Sequence, residues 1–140
     1  MAVTATPIFA QKIQAWAYQF VNATSTTKTS IAAAGSNGSQ VTSLTIASTD
    51  TSSQNIILYL YDGTVYHQLC EINIPASSGN ASLATPPIDV FRNLYFPGLQ
   101  LDAMGNKVMN IPSGWSLYGS MVAAVTSGKA IDVVAQGGDY

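Results

Sequence analysis

Two runs rich in β-branched and aromatic side chains, Ile56-Ile57-Leu58-Tyr59-Leu60-Tyr61 and Val65-Tyr66-His67-Gln68-Leu69-Cys70, stand on either side of Asp62-Gly63. Such residues fit a pleated surface, and Asp-Gly between two of these runs favours a tight reversal with positive φ. The stretch from Gln54 to Ile74 therefore predicts a β-hairpin. With Asp62 and Gly63 as the central pair, Tyr61 faces Thr64, Leu60 faces Val65, Leu58 faces His67 and Ile56 faces Leu69. One face is then almost wholly aliphatic and belongs to a core. The other carries Ile57, Tyr59, Tyr61, Tyr66, Gln68 and Cys70, a mixed aromatic and polar surface open to a partner.

The rest of the chain continues in the same idiom. Strands are predicted over Lys12 to Val21, Lys28 to Ala33, Gln40 to Ser48 and Lys107 to Ile111, each closed by turn-forming residues. A second hairpin is expected where Trp115 to Val125 and Ala130 to Ala135 flank Thr126-Ser127-Gly128-Lys129. Trp115, Leu117, Met121, Ala123 and Val125 share one parity there, and Gly119 fills the gap, which points to a bulge or a close backbone approach. Prolines and glycines at Pro86-Pro87 and Pro97-Gly98 mark Ser77 to Leu101 as a long irregular connection. About eight short strands with turns this frequent predict one all-β domain over residues 1–140, an antiparallel β-sandwich with a jelly roll as the expected version. Met1 to Pro7 and Gly137 to Tyr140 are weakly patterned and are expected to form short terminal arms.

Charge is scarce. Charged residues make up 9% of the chain, against about 25% in ordinary globular proteins, and Ser, Thr, Asn, Gln and Gly fill the polar quota. The net charge of -2 with five scattered basic residues argues against nucleic acid as a partner. A surface with so little self-repulsion is expected to be covered in part by protein neighbours. Cys70 is the only cysteine, so no intramolecular disulfide can form. The opening residues do not read as a signal peptide and no apolar run reaches the length of a membrane span, so the protein is expected to stay where it is made, away from membranes. The sequons at Asn22, Asn37 and Asn80 are then chance features of a Ser/Thr-rich chain.

Catalysis finds few candidates. His67 is the only histidine, and the predicted register sets it opposite Leu58 as a hydrogen-bonded core or edge residue. Cys70 lies three residues on, which in a regular strand turns it to the other face. The seven carboxylates are dispersed, several at turns. No His/Cys cluster, calcium loop or phosphate-binding glycine motif is present, so no catalytic, cofactor-binding or metal-ligating residue and no cofactor is expected. Trp16, Tyr18 and Phe20 alternate on one strand; they read either as a sugar-stacking platform or, preferably, as the buried side of a half-buried strand.

Two blocks of the sequence resemble the small β-sandwich decoration, or cementing, proteins on the outside of tailed-bacteriophage capsids, such as those of short-tailed phages of the Bordetella type. The first is Val41-Thr42-Ser43-Leu44-Thr45-Ile46-Ala47-Ser48-Thr49-Asp50-Thr51 with the strand Asn55 to Tyr61 and its Asp62-Gly63 turn. The second is Ile111-Pro112-Ser113-Gly114-Trp115-Ser116-Leu117, followed by Ala123 to Lys129 and the ending Val133 to Tyr140. Together they cover about half the chain. The resemblance implies a jelly roll without catalytic residues that binds assembled major capsid protein on the outer surface of a virion, bridges neighbouring capsomers and is made in the bacterial host cytoplasm. A homodimer across a local two-fold is expected, with a trimer as the alternative. The family has no fixed contact motif; Phe9, Trp16, Tyr95, Phe96 and Tyr140 are the candidate interface residues. The competing expectation is a non-catalytic carbohydrate- or receptor-binding sandwich from a phage fibre.

Overall fold

The computed structural model describes residues 10–80, 85–92, 96 and 98–140. Their strands are β1 (Lys12–Val21), β2 (Thr29–Ala33), β3 (Ser39–Ser48), β4 (Gln54–Tyr61), β5 (Tyr66–Ile74), β6 (Ile88–Asp89), β7 (Gln100–Leu101), β8 (Lys107–Ile111), β9 (Ser116–Met121) and β10 (Ala130–Asp139). A single 3-10 turn, Val90–Arg92, follows β6. All strands pair antiparallel. One sheet has six strands in the order β1-β10-β3-β8-β7, with β6 also against β3, and the other has four in the order β2-β9-β4-β5. The protein is thus an all-β antiparallel sandwich, as the alternating pattern predicts.

The two sheets share one apolar interior. Phe20, Leu44, Ile46, Val41, Ile131 and Val133 come from the larger sheet and Ile31, Ile56, Leu58, Ile72 and Leu117 from the smaller, and all are buried. Each such side chain contributes roughly 1.5–3 kcal/mol through removal from water. Gly119 lies under packed core side chains: a Cβ there would stand 2.7 Å from Ile31 Cδ1 and 3.4 Å from Phe20 Cζ. The gap in the parity of β9 therefore makes room for side-chain tips, not for the close backbone approach that was expected.

Three register shifts interrupt the pairing: one in β2 leaves Ile31 extra between Ser30 and Ala32, and two, in β3 and β5, reset the alternation of inward and outward residues. In β3, Gln136 of β10 pairs with Ser43 and Gly137 with Val41, leaving Thr42 as an extra residue. Ser39 and Val41 point inward before it, and Leu44, Ile46 and Ser48 after it. Gly137 faces this bulge so closely that a Cβ would fall 1.9 Å from the Gln40 carbonyl oxygen. In β5 the extra residue is Leu69, since Leu58 pairs with Cys70 and Tyr59 with Gln68.

The central hairpin forms as predicted, with a different register. Tyr61 pairs with Tyr66 and Leu60 with His67. The Asp62 carboxylate accepts the amides of Thr64 and Val65, both at 2.7 Å, and the Asp62 amide donates to the Val65 carbonyl. These bonds close a four-residue loop over Asp62–Val65 instead of a two-residue turn. A shift by two residues keeps the tyrosines on the outer face. The bulge at Leu69 then reverses the parity, so Cys70, Ile72 and Ile74 enter the core while Val65, His67 and Leu69 remain exposed. His67 and Cys70 therefore lie on the same side of the sheet, contrary to the three-residue spacing argument.

The expected second hairpin is not one. The Thr126–Lys129 turn exists, with Lys129 donating to the Thr126 carbonyl at 2.9 Å. However, β9 belongs to the four-stranded sheet and β10 to the six-stranded one. The chain crosses between sheets here because its backbone is captured on the way: Met121 donates to the Ser25 carbonyl, Val122 to the Asn55 carbonyl, and Thr126 to Asp50. The connection from Ser77 to Leu101 also has more order than its composition predicts. Its β6 pairs with Thr45 and Ile46, and Val90, Phe91 and Phe96 insert into the core. Gly137–Asp139 complete β10 and do not form an arm; the Tyr140 amide donates to the Gly38 carbonyl. The proposed arm Met1 to Pro7 lies outside the described residues.

Asp50 fastens one end of the sandwich. Its side chain is fully buried, and its carboxylate accepts the Thr126 amide (2.9 Å), the Thr126 hydroxyl (2.8 Å), the Ser52 amide (2.9 Å) and the Gln54 side-chain amide (3.0 Å). Its carbonyl takes the Ser77 amide at 2.8 Å. Burial by itself raises the carboxyl pKa, but the bonds from Thr126, Ser52 and Gln54 outweigh it and hold the group at about 2.

A carboxyl lowered in the folded state stabilises above its unfolded value of 3.8 and loses that contribution as the pH falls through about 2. Denaturant melts between neutral pH and pH 2 are expected to show a loss of about 2 kcal/mol from this group, absent in Asp50→Asn. Asp50→Ala, which orphans buried donors, is expected to cost about 3 kcal/mol at neutral pH. Gly137→Ala is expected to cost at least as much and to exceed Gly119→Ala in the same melts, because its Cβ meets rigid backbone while that of Gly119 meets the end of an isoleucine.

Candidate interaction surface

The outer face of the four-stranded sheet gathers four tyrosines. Tyr59 and Tyr61 alternate along β4, Tyr66 stands opposite Tyr61 on β5, and Tyr118 stands opposite Tyr59 on β9. Tyr61 and Tyr66 are stacked with centroids 4.4 Å apart, and Tyr118 tilts against both at 5.2 and 5.1 Å. Tyr59 meets Tyr66 edge-on at 6.2 Å. Pairs of this geometry each add about 0.5–1.5 kcal/mol beyond their burial.

Lys28, just before β2, completes the cluster. Its Nζ lies 4.7 Å from the ring centres of both Tyr59 and Tyr66. A cation over a ring face is held by the ring quadrupole. Tyr59 is nearly covered, at 8% exposure, and its hydroxyl shares a 3.4 Å hydrogen bond with Ser120. Tyr66 stands proud at 37%. The Tyr118 phenol is pushed above its ordinary pKa by desolvation, with the neighbouring Tyr66 and Tyr61 adding to the effect. The result is an aromatic pad with a single cation over two of its rings. Along the same sheet face Glu71 accepts from Asn55 at 2.7 Å.

Charges collect elsewhere. A groove between the 3-10 turn and β8 is lined by Asp89, Arg92, Asp102 and Lys107 among others. Arg92 and Asp89 form an exposed pair at 3.4 Å, of a kind that contributes little. Asp102 folds back on its own turn, accepting from the Met104 and Asn106 amides.

The groups with reactive potential are distributed as follows. His67 Nε2 lies 2.8 Å from Asp62 Oδ2 at the exposed hairpin tip, and its ring stacks beside Trp115 at 6.5 Å. The Asp62 carboxyl is held at about 2 by the His67 hydrogen bond first, then by the Val65 and Thr64 amides. Burial pushes the Cys70 thiol up to about 11. Among the described residues no three or more His, Cys, Asp or Glu side chains converge as a metal site would require.

Of the five residues expected as contacts, the three that are described do not meet in one place. Phe9 and Tyr95 lie outside the described residues. Trp16 is half-buried against the core, beside Tyr18 and the fully buried Phe20, as the half-buried reading of β1 requires. Phe96 is turned inward at 4% exposure and packs on Phe91 at 6.0 Å. Tyr140 is pinned to the six-stranded sheet, with its hydroxyl donating to Asn110 Oδ1 at 3.1 Å. Tyr59, Tyr61 and Tyr66 do share the outer face read from the sequence, whereas Tyr118 and Lys28 come from parts of the chain that hairpin register does not reach. The signal for Tyr118 was its position between inward Leu117 and Gly119.

No protein-family model matches the chain. No curated protein matches it either.

Removing Lys28 as Lys28→Met is expected to cost under about 1 kcal/mol, since the residue is exposed to solvent. Tyr59→Ala, which empties a nearly buried site under the other rings, is expected to cost about 3 kcal/mol. Thermal melts of the two variants against the parent protein check the order.

Proposed function

We propose that the chain is a non-catalytic structural protein of a phage virion, which binds the outside of the assembled capsid, bridges neighbouring major capsid protein subunits and stabilises the shell. The observation that carries this reading is the tyrosine pad: a broad, preassembled, nearly uncharged aromatic surface on an open sheet face. Tyrosines are enriched at protein interfaces because they bury a large area with few rotatable bonds and keep a hydroxyl for hydrogen bonding. Apart from Lys28, whose ammonium is held over two ring faces, the pad has no charge to desolvate against a neutral protein surface.

Strand order supports the jelly-roll version of the sandwich. With the two-residue strands β6 and β7 set aside, eight strands remain, and lettering them B to I along the chain gives sheets B-I-D-G and C-H-E-F. The two sequence blocks that resemble cementing proteins contribute β3 and β4 together with the end of β8, β9 and β10. A modest contact repeated by every copy over a shell resists internal pressure collectively.

The sugar-binding alternative draws less support. Sugar stacking requires free ring faces, but Tyr61 and Tyr66 cover each other, Lys28 lies over Tyr59 and Tyr66, and Trp16 is packed against the core.

Heating capsids that lack and carry the protein tests the proposal: carriers are expected to rupture at a higher temperature. Tyr66→Ala is expected to weaken capsid binding at least about tenfold, in the range of an aromatic hot spot. Equal rupture temperatures with no capsid binding would remove the proposal, and sugar binding lost in Trp16→Ala would favour the fibre module.

A further inference from the structure

Among the described residues the sandwich ends in four edge strands, with the two-residue β6 open beside β3 as a fifth, and all but β1 are blunted. β2 has five residues, a register shift between Ser30 and Ala32, and Lys28 beside it. β5 carries the bulge at Leu69 and the charge of Glu71. β7 is two residues long. Bulges, charges and shortness are the devices that stop an edge from recruiting another strand.

β1 has none of them along its length. It runs for ten residues in unbroken register with β10, contains no proline, and has one charged residue, Lys12, at its start. Among the described residues no strand lies on its other side.

We propose that β1 pairs antiparallel with β1 of a second copy of this chain across a two-fold axis, joining the two six-stranded sheets into one. The backbone has the required polarity. Ala130 of β10 donates its amide to Thr49 Oγ1 and accepts the Thr49 amide, so the even-numbered residues of β10 turn their polar groups toward β3. The Thr42 hydroxyl on the Gln136 carbonyl continues that alternation. Odd-numbered β10 residues therefore serve β1, through Phe20, Tyr18 and Trp16. Ala17 stands opposite Val134, and its amide and carbonyl face away from β10, as do those of Ile13, Ala15 and Gln19.

The side chains are self-complementary. With Ala17 on the axis, Ala15 faces Gln19 of the second copy and Trp16 faces Tyr18 of the second copy, so aromatic meets aromatic and small meets neutral polar. The outward Ala15 and Ala17 leave room for close approach. No like charges oppose each other, because the two Lys12 residues lie at opposite ends of the joint. A contact of this kind is isologous and closes on itself as a dimer. It does not depend on the shell reading.

Sedimentation equilibrium of the purified protein, without capsids, tests it. The unaltered chain is expected at twice the 14.7 kDa of one copy. Ala17→Pro removes an amide that β10 does not use, which an edge strand tolerates, and is expected at single-chain mass with its far-UV circular dichroism retained. Ala17→Lys puts two ammonium groups on the axis and is expected at single-chain mass in low salt; it decides the matter if the proline variant fails to fold. A single-chain mass for the unaltered protein, or a dimer that persists in Ala17→Lys, overturns the proposal. Loss of capsid stabilisation with the dimer intact would count against the shell reading alone.

Discussion

A carboxylate with no cation beside it holds the two sheets in correspondence. Asp50 is inaccessible to water, and charge buried in that way is unfavourable unless every lone pair is engaged. Its four side-chain bonds and the Ser77 bond to its carbonyl draw together the β3–β4, β5–β6 and β9–β10 connections. Those are places where the chain leaves a strand, and all three carry it from one sheet to the other. The apolar interior supplies most of the favourable free energy but is indifferent to how loops are joined. The directed bonds of Asp50 select one joining.

Much of the secondary structure was legible because alternation survives wherever a strand is regular. β1 and β8 run over the limits that pattern alone assigns, and β3 begins one residue earlier. What alternation cannot reveal is a single inserted residue. Thr42 and Leu69 look like ordinary strand residues, yet each reverses the facing of everything beyond it. Cys70 was placed outside for that reason. The Asp-Gly signal marked the reversal correctly, but the loop length was set by the Asp62 carboxylate capping two amides, which a turn motif read as backbone alone does not include.

The candidate surface was half legible. Tyr59, Tyr61 and Tyr66 follow from hairpin parity, and a shift of register by two residues leaves parity unchanged. Tyr118 and Lys28 join them only through the β4–β9 pairing and the proximity of β2, which are long-range facts of topology. The supposed hairpin between β9 and β10 failed for a related reason. A glycine-containing loop marks a reversal of direction and carries no information on whether the next strand stays in the same sheet.

The bulge at Leu69 has a chemical consequence as well. By rotating the next residue inward it takes the only thiol of the chain out of solvent, where burial keeps it protonated and poorly nucleophilic. Copies crowded side by side would bring surface thiols within reach of one another, and oxidation would then weld neighbours at random. One inserted residue in an edge strand thus keeps the thiol from welding one copy of the chain to another.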